Sequence, residues 1–443
     1  MTEPHLAHPT DPDPAPFRIC ADRLRARLEQ LAEVGGDPPD PGARGHHRGV
    51  SRFPYTDTHA QAARLVAEWM QQAGLEAGCD EFGNLVGLRS GEPHLPAIVL
   101  ASHLDSVPHG GMFDGALGVL AAVEVAQTLH ERRMSVRHPL AVVGFADEEG
   151  FAFGRGTLAS RCLVGEIPRA QFAAIRGRDG RTLAEALAAF DPGLPAARVP
   201  DRLGAYLELH VEQGPVLAQS GRRVAVVTGI TGMARMTAAL EGEANHAGTT
   251  PMALRRDALV AAAEVVLAVR TMAQAAGPPV VGTVGVLTLS PGAANIVPGR
   301  AELTIEFRSP DAGQLAGLCR GIELEIKRIA QRTRLEAHLT PWDHKPPAPM
   351  DAWIQRVIAA AIRDVGEEPF AMPSGAGHDA MVLAPHVPAG MIFVPSSGGI
   401  SHSPREWTEW ADAALGAEVL LQTVLRLDAQ GVLPSHCLPG RSS

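Results

Sequence analysis

Three short runs in this chain carry no polar side chain at all: Ala97–Ala101, Leu140–Phe145 and Gly390–Val394. A strand that is apolar along its whole length has to be covered on both faces, the situation of a parallel sheet inside an α/β domain. The stretches around these runs have helical character. Ala21–Glu33 reads as a helix, and so does Thr58–Ala73, where Ala62, Leu65, Val66 and Trp69 recur at helical spacing. A short strand near Asn84–Leu88 precedes Ala97–Ala101, a long helix covers Gly115–Arg132, and another begins near Trp353. Strands alternating with helices imply an α/β fold, a mostly parallel sheet covered by helices.

The middle of the chain has a different rhythm. Ala234–Glu241 alternates like a half-buried strand, and Asp257–Ala275 has the length and composition of a helix. Val280–Leu289 and Ala301–Arg308 read as two strands, Leu315–Arg332 as a helix and Leu335–Thr340 as a final strand. That βαββαβ order is the ferredoxin-like α+β arrangement, here inserted into the first domain. The expected division is therefore a disordered lead-in over residues 1–17, a main domain over 18–230 and 345–443, and an inserted domain over 231–344. The Pro-rich segment Trp342–Met350 serves as the return linker, and neither internal repeats nor heptads are visible.

Several function classes are disfavoured by composition. A net charge of −10 is the wrong sign for a chain whose main partner is nucleic acid. No apolar run approaches the roughly 18 residues of a membrane span, and no secretory signal is visible at the N-terminus. The five cysteines are scattered, without a CxxC pair, which fits reduced thiols in a cytoplasmic protein rather than a disulfide framework.

Five segments put metal-ligand residue types at turns just after expected strands, where open α/β sheets hold their sites. His103 and Asp105 follow Ala97–Ala101 at alternate positions, so they share a face. From there the Asp105 carboxylate is placed to bond the far nitrogen of the His103 ring. Gly110–Gly115 turns sharply into the next helix and presents Asp114 at its start, a position where Asp also caps helices. Asp147-Glu148-Glu149-Gly150 closes Leu140–Phe145, while Glu208–Gln213 contributes His210 and Gly399–Pro404 contributes His402. Each piece alone is ordinary: a lone loop histidine usually sits on the surface, as His46 and His47 are expected to. Adjacent acids are usually a solvated strand end. Together, two carboxylates and three imidazoles make an oxygen and nitrogen ligand set suited to Zn²⁺, with Mn²⁺, Co²⁺ or Ni²⁺ acceptable.

These segments resemble the M20 metallopeptidase-like family, and specifically its amidase branch: N-carbamoyl-L-amino acid hydrolases, bacterial-type β-ureidopropionases and allantoate amidohydrolases. The resemblance runs from Gly49-Val50-Ser51-Arg52 to Glu406. It includes Asp80–Asn84, His103–Val107, Gly110–Gly115, Glu208–Pro215 and Ser374–Asp379. It implies two metal ions, one on His103 and His210, the other on Glu149 and His402, with Asp114 bridging them. Asp105 would orient His103, and Glu148 would be the general base. Two close cations lower the pKa of a shared water, and a neighbouring carboxylate can move its proton to the leaving nitrogen. On the substrate side the resemblance implies contacts from Gln213 and Gly377. It further implies oxyanion stabilisation by His246 and carboxylate binding by Asn295 and Arg308, the latter through a planar guanidinium. The smaller domain is implied to act as lid and dimerisation module, with His246, Asn295 and Arg308 reaching a neighbouring subunit's site in a homodimer.

One departure stands out: many members of the branch carry Arg where this chain has Ala152, which bears on substrate preference rather than on the ligands. Ser374–Asp379 and Gly390–Pro395 look closest to the N-carbamoyl-L-amino acid hydrolases. The alternatives are allantoate amidohydrolase and β-ureidopropionase, then an aminoacylase or peptidase of the same family, and last an inactive metal-binding scaffold. In the scaffold reading a ligand or the base would be missing, and here every such position is filled.

Overall fold

The computed structural model describes residues 18–39 and 48–439. The expected lead-in over 1–17, and His46 and His47, lie outside the described residues. The three apolar runs become strands of one ten-stranded sheet: Ala97–His103, Leu140–Phe145 and Ala389–Val394, every residue of them buried. A fourth strand, Arg202–Val211, lies between Ala389–Val394 and Ala97–His103, and these four neighbours run parallel. Antiparallel strands flank them, Leu85–Arg89 and Glu76–Cys79 on one side and Ala225–Ile230 on the other.

Alternation along each strand divides the core in two. Ile98, Leu100, Val142 and Leu207 face the helices Ala21–Glu33, Asp57–Gln72, Ala116–Glu131, Ala352–Asp364 and Trp410–Ala429. Val99, Ala101, Val143 and Tyr206 face the opposite layer, which holds the shorter helices Leu158–Leu163, Leu183–Ala189 and Asp379–Leu383. Helix Ala116–Glu131 is buried over nearly its whole circumference, and its polar stripe of Glu124, Gln127 and Glu131 is met by Arg23 and Arg27 of the first helix.

A second sheet is antiparallel, in the order Val281–Ser290, Arg300–Ser309, Gly232–Glu241, Glu336–Leu339. With the helices Ala258–Ala276 and Ala312–Thr333 it reproduces the expected βαββαβ sequence of elements, around a separate cluster of apolar side chains. Two expectations change here. The segment Trp342–Met350 is not a bare linker: Asp343–Lys345 pairs with Met233–Arg235, and Ala348–Pro349 with Gly229–Ile230. The expected boundary after residue 344 therefore falls inside a strand of the smaller sheet. Helix Ala258–Ala276, with a mean hydropathy of 1.5 over its apolar window, is also long and apolar enough to cross a membrane by length and composition. Its Ala261, Ala262, Val265 and Val269 are buried against the small sheet and Glu264 pairs with Arg332, while Val260 and Leu267 on its other side are exposed.

Beside the main core, His59 is fully buried. Its Nδ1 accepts from the Tyr55 backbone N–H at 3.2 Å, and its ring stacks on Phe190 with centroids 5.0 Å apart. Burial, helped by the Arg52 charge, pushes its pKa down to about 3 from 6.5. A folded-state pKa below the unfolded one favours folding above the unfolded value, and that contribution disappears as pH falls from 6.5 toward 3. The expected cost is about 1.4 kcal/mol per pH unit inside that window. Urea unfolding of the wild type between pH 6.5 and 4.5 is expected to lose about 2 kcal/mol more than that of His59→Asn, which keeps an acceptor but does not titrate. Parallel pH slopes for the two proteins would remove His59 from this role.

Candidate metal centre

The centre is set by strand register. Ala97–His103 and Arg202–Val211 run parallel, with Leu100 opposite Leu207. Three residues further on, at the carboxyl end of each strand, stand His103 and His210. Their rings stack with centroids 5.6 Å apart, and their Nε2 atoms lie 3.4 Å from each other. Both histidines thus belong to the strands themselves rather than to the turns that follow. Both are 1% exposed, and both Nδ1 atoms face main-chain carbonyls: Asp105 O at 3.0 Å from His103, Val211 O at 2.9 Å from His210. With Nδ1–H donated to a carbonyl, each Nε2 is left as a lone-pair donor aimed at the same point.

Asp114 occupies that point. Its Oδ1 is 3.5 Å from His103 Nε2 and 3.2 Å from His210 Nε2, and its Oδ2 is 3.3 Å from His402 Nε2. His402 Nε2 is in turn 3.4 Å from Glu149 Oε2. One carboxylate thus faces two nitrogen-bearing groups, one oxygen to each. Asp114 does not cap the following helix, as its sequence position suggested. Gly115 takes the cap position, with φ +65°, and the Asp114 side chain is left for the histidines. Gly115 is required twice over, because a Cβ there would run into the His103 ring.

The second expectation to change concerns Asp105. Its carboxylate oxygen is 3.8 Å from His103 Nδ1, beyond hydrogen-bond distance, and the main-chain carbonyl of Asp105 holds the ring instead. The carboxylate accepts from the backbone N–H groups of Glu148 and Glu149, at 3.1 and 3.2 Å. Asp105 therefore fixes the loop that carries those two acids. Asp147, with φ +53°, makes the turn, and the Thr157 N–H closes it by donating to the Glu148 carbonyl at 2.7 Å. Glu148 Oε2 ends 3.9 Å from His103 Nε2.

Electrostatics follow from burial. Asp114 is desolvated, which raises its pKa, but the three imidazoles beside it outweigh that and hold it well below the carboxylate range. His103 and His210 are desolvated too, and the acids around them still raise both. His402 is pushed up to about 9, chiefly by its bond to Asp114. Burial lifts Glu149 to about 7 and Glu148 well above its ordinary value. Three carboxylates crowded out of water call for compensating positive charge. Asp114 Oδ1 and Glu149 Oε1 are buried without a hydrogen-bond partner. Two groups, His103–Asp114–His210 and Asp114–Glu149–His402, each bring their ligand atoms within 4.8 Å of one another. The donor chemistry, the shared carboxylate and the orphaned oxygens all fit a pair of divalent cations.

A second layer escaped sequence reasoning. Glu406, 2% exposed, accepts from the backbone N–H groups of Phe113 and Asp114 and from the Ser401 hydroxyl at 2.7 Å. It ties the Asp114 turn to the His402 loop, and Gly111 is small because a Cβ would strike the Glu406 carboxylate. Nothing in the spacing of Glu406 marks this role. Gln213 adopts φ +60° and donates to Asp114 Oδ2 at 2.9 Å.

These residues open into a cavity of about 480 Å³ that spans the two sheets. Gln213, Gly377 and Arg308 line it together with the ligand set, and so do Lys345 and His378, which carried no expectation. Arg308 donates from Nε to Glu306 at 2.8 Å and from Nη1 to the Gly375 carbonyl at 2.9 Å, which joins the small sheet to the loop Gly375–Gly377. His246 and Asn295 are not brought to this cavity. They lie exposed at the paired short strands Asn245–His246 and Ile296–Val297, and the Asn295 carbonyl accepts from Ala247 N–H. Ala152 lies outside it as well, in a separate aromatic hollow with Phe53, Phe151 and Phe153.

The chain is similar to known proteins along most of its length. The pattern of the peptidase family M20/M25/M40 matches residues 99–426. The chain is 41% identical to the N-carbamoyl-L-amino acid amidohydrolase of Geobacillus stearothermophilus, over 93% of this chain and 100% of that one. It is 33% identical to the allantoate amidohydrolase of Escherichia coli, over 91% and 97%. A crystal structure of an amidase of the hydantoinase/carbamoylase family from Burkholderia multivorans superposes with a TM-score of 0.86 at 33% identity, covering 94% of this chain and all of that one. Matched along most of its length in sequence and in fold, the chain belongs to the M20/M25/M40 peptidase family, on its amidase branch.

Proposed function

We propose that the protein hydrolyses the ureido amide bond of N-carbamoyl-L-amino acids, giving the L-amino acid, carbon dioxide and ammonia. One observation carries the reading: a buried carboxylate cluster fit for two cations and the guanidinium of Arg308 line the same cavity. That combination suits a small substrate with a carboxylate at one end and a scissile carbonyl at the other. The named relatives at 36–41% identity over nearly the whole chain are N-carbamoyl-L-amino acid amidohydrolases, which favours this substrate over allantoate.

In this reading His103 and His210 would hold one cation and Glu149 and His402 the other, with Asp114 shared between the two groups. Zn²⁺ or Mn²⁺ suits the donors, with Co²⁺ or Ni²⁺ acceptable. Bound there, the pair of cations supplies a nucleophile active at neutral pH and polarises the carbonyl. Glu148 takes the proton of the attacking water as its oxygen adds to the carbonyl carbon. It delivers that proton to the amino nitrogen as the carbon–nitrogen bond breaks, and the released carbamate falls apart to carbon dioxide and ammonia. Arg308 takes the substrate carboxylate. Its Nε and Nη1 are held by Glu306 and Gly375, so Nη2 is left to face the ligand. Gln213 and the Gly377 backbone complete the contacts on the other wall.

His246 and Asn295 enter through a second subunit in this proposal. The outer strand of the small sheet, Val281–Ser290, leaves one edge unpaired and exposes Val281, Val286 and Leu287, and the adjoining helix exposes Val260 and Leu267. An open apolar edge is the surface a two-fold homodimer covers. Sedimentation should give twice the 46.6 kDa chain mass, and Val286→Lys should shift it to the single-chain value. A wild-type monomer would dismiss this arrangement.

The reaction is tested by ammonia release from N-carbamoyl-L-amino acids, N-carbamoyl-β-alanine and allantoate in parallel, after reconstitution with Mn²⁺ or Zn²⁺. Carbamoyl amino acids are expected to be the preferred group. Glu148→Gln should retain two metal ions by elemental analysis and lose about 10³-fold in kcat. Near-wild-type turnover by that variant would transfer the base role elsewhere.

A further inference from the structure

The cavity holds one cation more than a monocarboxylate substrate requires. The chain has only two lysines, Lys327 and Lys345, and Lys345 lines the cavity beside Arg308. The sheet puts them there together. Lys345 lies opposite Met233, and Met233 lies opposite Arg308 on its other side. Residues directly paired across antiparallel strands project to the same face, so the two cations stand two strands apart, roughly 10 Å at their backbones.

Their surroundings differ. Arg308 is already partly balanced by Glu306, which Arg235 also contacts. Lys345 is exposed, and among the described residues no carboxylate comes within salt-bridge distance of it. The other acids lining the cavity are Asp114, Glu148 and Glu149, all committed to the metal centre. Among the described residues Ala376 and Met381 are the apolar side chains that line the cavity. An ammonium without a carboxylate partner in such a cavity offers a site to a second anion.

We infer that Lys345 is a specificity-determining residue, and that the preferred substrates are N-carbamoyl-L-amino acids with an acidic side chain. Arg308 takes the α-carboxylate and Lys345 the side-chain carboxylate. The inference rests on the carbamoyl-hydrolase reading above and narrows it to dianionic substrates.

The test compares pairs that differ only in charge: N-carbamoyl-L-aspartate against N-carbamoyl-L-asparagine, and the glutamate compound against the glutamine one. The wild type should favour the acid of each pair in kcat/KM by about fivefold or more, mainly through KM, with the margin shrinking as salt is raised. Lys345→Met should collapse that ratio toward one. Lys327→Met, which removes the same charge from the exposed face of helix Ala312–Thr333, should leave the ratio as it is. A wild type that prefers the amides, or a ratio untouched by Lys345→Met, overturns the inference while the carbamoyl reading stands.

If no carbamoyl compound is cleaved, that reading falls and binding decides the inference alone. Calorimetry of glutarate against glutaramate on the metal-loaded protein should then favour the dianion, and Lys345→Met should erase the preference. Equal binding in wild type and variant overturns it.

Discussion

A buried carboxylate surrounded by three imidazoles is the constraint around which this molecule is arranged. Asp114 is 5% exposed, and an ionised carboxylate taken that far out of water is costly unless compensating charge stands beside it. The imidazoles that surround it come from three distant places in the chain, His103, His210 and His402. Two of them are brought together by strand register alone, because the pairing that sets Leu100 opposite Leu207 carries His103 and His210 to the same end of the sheet. The third requires the strand Ala389–Val394 to deliver a loop back across the same sheet end. A parallel sheet therefore does more than bury apolar side chains here. It is what puts ligands separated by about a hundred residues and more within a few ångströms of one another.

Around that carboxylate the protein pairs main-chain groups with two buried acids. His103 and His210 are oriented by carbonyls, and the acids Asp105 and Glu406 accept from backbone N–H groups of the loops that carry Glu148, Glu149 and Asp114. This choice has a physical logic. The carbonyls that hold His103 and His210 cannot change protonation state, so the ring orientation they enforce persists when charge near the centre changes. Glycine follows from the same choice: Gly111 and Gly115 let carboxylate and imidazole lie directly against the backbone.

What the sequence disclosed and what it hid can be traced to the same physics. All-apolar strands announced themselves, as did the alternating strands and long helices of the smaller sheet. Arg202–Val211 did not, because Tyr206, Glu208 and His210 interrupt its apolar pattern, although nearly all of it is buried. Polar residues that serve a site disguise the strand that carries them. The ligand residues were legible as a joint pattern of residue types at strand ends. Asp105 was misassigned in detail because the alternation rule holds only while the backbone stays extended, and the strand ends at His103. Past that point a carbonyl, not a side chain, reaches the ring. Asp114 was expected to cap a helix for a similar reason: Gly115 at positive φ takes over the turn. Glu406 and Lys345 carried no readable signal, since each acts through a pairing that exists only after the sheets have formed.

The division of labour between the two sheets bears on how such a site can diversify. All five candidate ligands and Glu148 come from the large sheet and its loops, while Arg308 and Lys345 come from the small one. The Arg308 bond to the Gly375 carbonyl links the small sheet's cations to a wall of the large domain. On the proposed reading, substitutions on the cavity face of the small sheet change which substrate is held without disturbing the strand register that assembles the candidate ligands. The reverse does not hold. A change that shifts Ala97–His103 against Arg202–Val211 by one residue would turn one of the two facing histidines to the opposite side of the sheet and dissolve the centre. Chemistry in this molecule is thus locked to the register of a buried sheet, and recognition is left to side chains that the fold does not need.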